Sequence, residues 1–125
     1  MIKRLPDSEF EIMEIIWGNP PPITTLQIME QMEPERNVKL QTLLTMLVRL
    51  IEKGFLTSER VGRERNYSPV ISKQEYMKVE TGSFMARHYI KSMGSLIKTF
   101  YDGQELSAED MRELHDWLAD KEGMS

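Results

Sequence analysis

Apolar residues recur with a helical period over most of this chain and give way to β-favouring residues in one short stretch. Phe10, Met13 and Trp17 stand at i, i+3 and i+7, which marks one buried face of a first helix. Asp7 or Ser8 can cap it, and Ser8 and Glu11 have capping-box spacing. Gly18-Asn19-Pro20-Pro21-Pro22 ends it, because consecutive prolines cannot continue a helix. A second helix is expected from Thr24, stopping near Glu33-Pro34. Thr24 and Gln27 have capping-box spacing, and Ile23 and Ile28 occupy hydrophobic-staple positions. A third helix is expected from about Val38 to Lys53, with Gly54 just past its end. Leu40, Leu43, Leu44, Leu47, Leu50 and Ile51 give it one strong apolar stripe.

The pattern changes in FLTSERVGRERNYSPV. Thr57, Val61 and Tyr67 favour strand, Gly62 is the turn glycine and Pro69 closes the segment, so a two-stranded hairpin with its tip at Gly62–Glu64 is expected. From Ser72 to about Tyr101 the period is helical again, with a break expected near Gly94. Met93, Leu96, Ile97, Phe100 and Tyr101 form a clean stripe in its second part. Asp102-Gly103 reads as a turn. Ser107 then caps a last helix, with Asp110 in its first turn and Met111, Leu114 and Leu118 as its stripe beside Trp117. Three helices followed by a hairpin is the element order of a winged helix. The fold expected is mainly α with a small β-hairpin: a winged helix-turn-helix domain over residues 1–71, then a helical dimerisation domain over residues 72–125.

Composition narrows the function. With 125 residues, 40% hydrophobic and 29% charged, the chain can fold. It has no Cys, which excludes disulfide scaffolds, thiolate zinc sites and Cys nucleophiles. No apolar run approaches the roughly 18 residues of a membrane span, and Met1–Phe10 lacks an apolar signal core; a soluble cytoplasmic protein without membrane insertion is expected. The net charge is -4, yet residues 36–65 alone carry +4, a polarisation that suits a phosphate-binding surface. On the third helix Gln41, Thr42, Thr45 and Arg49 share the arc opposite the leucines, flanked by Val38, Met46 and Lys53. Amides, hydroxyls and guanidinium groups read base edges in the major groove. The plain alternative is a solvated face, against which stand the basic surroundings and the lack of i, i+4 Glu–Lys pairs. Arg60, Arg63 and Arg65 surround Gly62 on the wing. They suit phosphate contact or minor-groove insertion; the alternative is a charged tip that keeps an edge strand from pairing.

The C-terminal part poses a different problem. Roughly 50 residues cannot bury a good core alone, yet Phe84, Met93, Leu96, Ile97, Phe100, Tyr101, Leu114, Trp117 and Leu118 call for burial. A homodimer is the economical answer, placing two recognition helices about one DNA turn, roughly 34 Å, apart; the alternative is a tail folded back on its own first domain. The ten methionines read as core filler. His88 and His115 lack a partner at ligand spacing, and there is no Gly-rich phosphate loop or nucleophile elbow. No metal, cofactor or catalytic site is therefore expected. Two rivals stand beside a DNA-binding regulator: a winged-helix adaptor that docks a protein by the same polar face, and a metal-dependent enzyme using His88, His115 and nearby carboxylates.

The segment VKLQTLLTMLVRLIEKGFL, followed by ERVGRERNYSPVIS, resembles the penicillinase-repressor (BlaI/MecI-type) family of bacterial transcription repressors. LPDSEFEIMEIIWGNPP resembles its opening helix, and YMKVETGSFMARHYIKSMGSLIKTFYDGQELSAEDMREL its dimerisation region. The resemblance covers residues 5–119. It implies a homodimer of two winged helices on a palindromic double-stranded operator, repressing beta-lactamase or related cell-wall-stress genes. Gln41, Thr42, Thr45 and Arg49 match the family's recognition-helix contact positions. Lys39 matches the start of that helix, and Arg63 the wing arginine after the glycine, with Arg65 close by; Lys39 and Arg63 are expected to position phosphates. In the family a membrane-bound sensor metalloprotease triggers cleavage at an Asn–Phe bond in the dimerisation region. The matching candidate position here is Thr99-Phe100, with the Asn replaced. The family's copper-responsive branch uses C-terminal Cys pairs, which this chain lacks.

Overall fold

A computed structural model describes residues 2–32, 37–88 and 92–123. Helices dominate, with a small antiparallel sheet of strand order β1-β3-β2. The chain divides into two units, Met1–Ser83 and Phe84–Ser125.

In the first unit α1 (Asp7–Trp17) turns Ile12, Met13 and Ile16 into the core. Phe10 and Trp17 stay half-buried at its rim, so the buried face is rotated from the one expected. The helix starts directly after Pro6, and no side chain caps it. The expected Ser8–Glu11 box does not form; Asp7 and Glu9 instead lie in the first turn, where negative charge suits the helix dipole.

The next start signals hold. Thr24 Oγ1 accepts from the Gln27 N–H at 3.2 Å, and Gln27 Oε1 accepts from the Thr24 N–H at 2.9 Å, opening α2 (Thr25–Gln31). Ile23 and Ile28 are both buried. Ile23–Thr24 also form a strand, β1, opposite Tyr67 and Asn66. The hairpin reading lacked this third strand, because two residues are too few to show a period. The expected stop at Glu33-Pro34 lies outside the described residues.

Leu43, Met46, Leu47 and Leu50 of α3 (Leu40–Glu52) are buried, whereas Leu40 is exposed. The helix closes with a Schellman pair of bonds. The Phe55 N–H reaches the Leu50 carbonyl at 2.9 Å and the Gly54 N–H the Ile51 carbonyl at 3.0 Å. Gly54 sits at φ +84, where a side chain is strained. Strands β2 (Leu56–Val61) and β3 (Glu64–Pro69) then pair from Leu56 opposite Pro69 to Val61 opposite Glu64. Gly62 takes φ +66 at the first turn position, the place where a two-residue hairpin favours glycine.

The first unit continues into α4 (Lys73–Arg87). Ser72 and Glu75 cap its start reciprocally. The Ser72 backbone N–H foremost, and then the Ser72 side chain, hold the Glu75 carboxyl below its ordinary range. Tyr76 is fully buried, its ring 5.6 Å from Phe10, 5.8 Å from Trp17 and 5.6 Å from Phe55. Its hydroxyl accepts from the Leu5 N–H at 2.7 Å and donates to Glu80 Oε2 at 3.1 Å, while burial pushes its pKa up. These contacts tie the start of α4 to the first core. That is why the units part at Ser83–Phe84, beyond the boundary at residues 71–72 that Pro69 suggested.

The second unit holds α5 (Met93–Asp102) and α6 (Ala108–Gly123), and neither helix has a buried residue. The helical stretch does break near Gly94: α4 ends at Arg87 and α5 starts at Met93 with Ser92 as its cap, so that Gly94 itself lies in the first turn. At the other end the Glu105 N–H reaches the Phe100 carbonyl at 2.9 Å and the Gln104 N–H the Tyr101 carbonyl at 3.0 Å. The left-handed residue of this closure is Gln104, at φ 62, and not Gly103. Ser107 and Asp110 exchange cap bonds, each 3.0 Å long, as expected. The Ser107 backbone N–H foremost, and then the Ser107 side chain, hold the Asp110 carboxyl below its usual range.

Candidate nucleic-acid interface

The amphipathicity of α3 builds the site. Its leucines are claimed by the core, so the other arc must face outward. Gln41, Thr42, Thr45 and Arg49 are all exposed there, with Lys39 at the N-cap. Lys39 places no side-chain cap on the helix, which leaves first-turn N–H groups as donors for an anion. Thr45 Oγ1 donates to the Gln41 carbonyl at 3.0 Å. Its proton is therefore spent inside the helix, and outward it offers a methyl group and an acceptor.

Two expected flanking residues do not join this face. Met46 is buried among the core residues. Lys53 turns to Glu9, its Nζ 2.7 Å from Oε1, and the Glu9 side chain is almost wholly buried. A buried carboxylate needs such a partner, so Lys53 clamps α1 to the end of α3 and is not a phosphate ligand. Val38 is half-buried. Sequence reasoning also missed Val48, 53% exposed at the edge of this arc. The 100° arithmetic that placed Thr45 puts Val48 beside Gln41 and outside the leucine stripe, but a search for polar residues alone passes over it.

On the wing all three arginines are exposed. Arg60 and Arg65 face each other across the hairpin. The hairpin itself holds each: Arg60 Nε donates to the Gly62 carbonyl at 3.3 Å, and Arg65 Nη1 donates to Ser58 Oγ at 3.0 Å. The side chains of Lys39, Arg49 and Arg63 make no hydrogen bond or ion pair with another described residue. Arg63, at the turn itself, is thus a cation available to an outside anion.

In the second unit Phe84, Met93, Phe100, Tyr101, Trp117 and Leu118 are exposed in this single chain, and Leu96, Ile97 and Leu114 are half-buried. The Thr99-Phe100 bond lies inside α5. The Thr99 carbonyl accepts from the Gly103 N–H at 3.0 Å, and the Phe100 carbonyl is bonded to Glu105. His88 stacks on Phe84, the rings 4.7 Å apart, and His115 lies 3.7 Å from Asp116. Among the described residues no group of His, Asp and Glu could hold a metal ion, and no helix is long and apolar enough to cross a membrane.

Residues 5–120 match the family described as penicillinase repressor. The penicillinase repressor of Bacillus licheniformis is 32% identical over 117 residues, which cover 94% of this chain and 91% of that protein. The methicillin resistance regulatory protein MecI of Staphylococcus aureus (strain N315) is 23% identical over 118 residues, 94% of this chain and 95% of that one. Among solved structures, the DNA-binding domain of the repressor BlaI is similar at a TM-score of 0.53 and 33% identity, covering 61% of this chain and 92% of that domain. Monomeric Bacillus licheniformis BlaI in complex with the blaP half-operator is similar at a TM-score of 0.51, with the same identity and coverage. A match over nearly the whole chain, joined to a winged helix of the same kind, means that this chain belongs to the penicillinase repressor family.

Proposed function

We propose that this chain is a DNA-binding transcriptional repressor that works as a homodimer on a two-fold symmetric operator, controlling beta-lactamase or other cell-wall-stress genes. One observation carries the reading. Lys39, Gln41, Thr42, Thr45, Arg49, Arg63 and Arg65 are all exposed on α3 and the wing, in a unit whose relative was solved on a half-operator. Arg63 and Lys39 serve the phosphates. Arg65, already steadied by Ser58, adds wing charge. Gln41, Thr42 and Arg49 reach toward base edges, where Gln suits adenine and Arg suits guanine. The chain acts by occupying a promoter in the cytoplasm and performs no catalysis.

The dimer is supported by α5 and α6. Side chains as large as Trp117, 56% exposed, and Phe100, 42% exposed, gain little from water. Beside them Ile97, Tyr101 and Met111 line a groove of about 300 Å³. Two copies meeting there would hold two recognition helices in a fixed spacing. Relief of repression would follow from anything that breaks this pairing. A sensor protease acting at Thr99-Phe100 would first have to unwind the last turn of α5, since both carbonyls are bonded.

Footprinting of the DNA upstream of its own gene with the full chain tests the proposal. A two-fold symmetric protected site is the expected result. No protection even at low salt would overturn it and leave the adaptor reading. On the protected site Arg63→Ala should weaken all sequences alike and lower the salt slope by about 1.

A further inference from the structure

We propose that Val48 is a specificity residue that recognises a thymine methyl group in each half-site. The inference rests on the reading of α3 as the groove-inserting helix. Val48 lies at the edge of the polar arc, about 20° from Gln41 and about 60° from Thr45, and about 150° from the mean direction of Leu43, Met46, Leu47 and Leu50 at 100° per residue. It is 53% exposed. Gln41 lies two turns before it, Thr45 one turn before it and Arg49 next to it, all exposed. A β-branched residue is a poor choice for a solvated helix position, where it adds neither helix propensity nor charge.

Thr45 extends the same character. Its hydroxyl proton is spent on the Gln41 carbonyl, so Thr45 and Val48, at i and i+3, bring methyl groups together on a face otherwise lined by polar side chains. In the major groove one base-pair edge alone carries an apolar group, the C5-methyl of thymine. An apolar spot beside base-reading side chains therefore selects thymine, and it does so by excluding water from two methyl surfaces rather than by a hydrogen bond.

Replacing thymine by deoxyuridine removes that methyl and nothing else. The full chain would first select its site from a random-sequence duplex library. Each thymine of the selected duplex would then be changed singly to deoxyuridine. One position in each half-site should lose about fourfold in affinity, the value of one buried methyl group, and the others should change little. Val48→Ala keeps the helix, because alanine favours it. It should bind the thymine and deoxyuridine duplexes equally at that position. Arg63→Ala should weaken both and preserve their ratio. An unchanged ratio in Val48→Ala, or a selected site with no methyl-sensitive thymine, would overturn this inference while leaving the repressor reading intact. A chain that selects no duplex above the unselected library overturns both.

Discussion

The first unit and the second carry similar apolar patterns and put them to opposite use. In α3 the stripe ends in Leu43, Leu47 and Leu50, all fully buried within one chain. In α5 an equally regular stripe ends in Met93, Phe100 and Tyr101, all exposed. Periodicity tells which side of a helix avoids water; it does not tell whose atoms will cover it. Three helices, a small sheet and the start of α4 surround one interior in the first unit. Two helices of 10 and 16 residues cannot enclose one. The difference separates a part that buries its apolar stripe within one chain from a part that leaves it exposed there, which is the face the proposed dimer would cover.

The largest effect should come from the first unit. Leu47→Ala removes a fully buried side chain, and should cost about 3 kcal/mol in urea unfolding. Dilution should leave that loss unchanged, because it arises within one chain. Phe100→Asp should do the reverse. Unfolding of the first unit should stay as it was, while sedimentation shows the dimer weakened by about 2 kcal/mol or more. If Phe100→Asp instead lowered the stability of the first unit and left the mass unchanged, the contrast between the two units would be lost.

What the sequence made legible follows how far apart the partners are. The Thr24–Gln27 and Ser107–Asp110 caps, and glycines 54 and 62, rest on neighbours within a few residues and could be read directly. So could the exposed arc of α3, because the core claims its leucines in a regular rhythm. Tyr76 could not, since its burial depends on Leu5, 71 positions away. Nor could the role of Lys53, whose partner Glu9 lies 44 positions away. Strand β1 exists because β3 lies beside it, and nothing in Ile23–Thr24 alone announces that. Val48 was legible by angle and hidden by its chemistry.

A smaller test concerns the end of α5. Gln104 sits in the left-handed region at φ 62, which costs a side-chain-bearing residue about 1 kcal/mol that glycine avoids. Gln104→Gly should therefore stabilise the second unit by about 0.5–1 kcal/mol, read as a higher midpoint for the loss of its helix signal. The matching position in the first unit, Gly54 at φ +84, already holds glycine. Gly54→Gln should destabilise by a similar amount. Equal and opposite shifts would show that both closures obey one rule; no shift at Gln104 would mean that α5 is not closed this way in solution.

The finest contrast lies in acid. Glu75 and Asp110 share the same reciprocal cap, one in each unit, each carboxylate accepting the serine N–H while its own N–H donates to the serine Oγ, and both carboxyls are held below their ordinary values. A lowered pKa in the folded state means that the cap favours the ionised form. Its contribution is fully present above the ordinary carboxyl pKa, about 4, and is lost as pH falls through the lowered folded value. Both helix starts therefore weaken in the same direction on acidification. Their surroundings differ, because Tyr76 pins α4 in the core directly after Glu75, whereas no buried residue of α6 holds its first turn. An NMR titration following backbone shifts should show residues 108–111 moving toward coil at a pH where residues 73–76 still keep helical values. Asp110→Asn should flatten the first curve, since an amide oxygen can still accept the Ser107 N–H but does not titrate. Fraying of both starts at the same pH would mean that the buried tyrosine does not anchor α4, and the contrast between the two units would then rest on the burial of α3 alone.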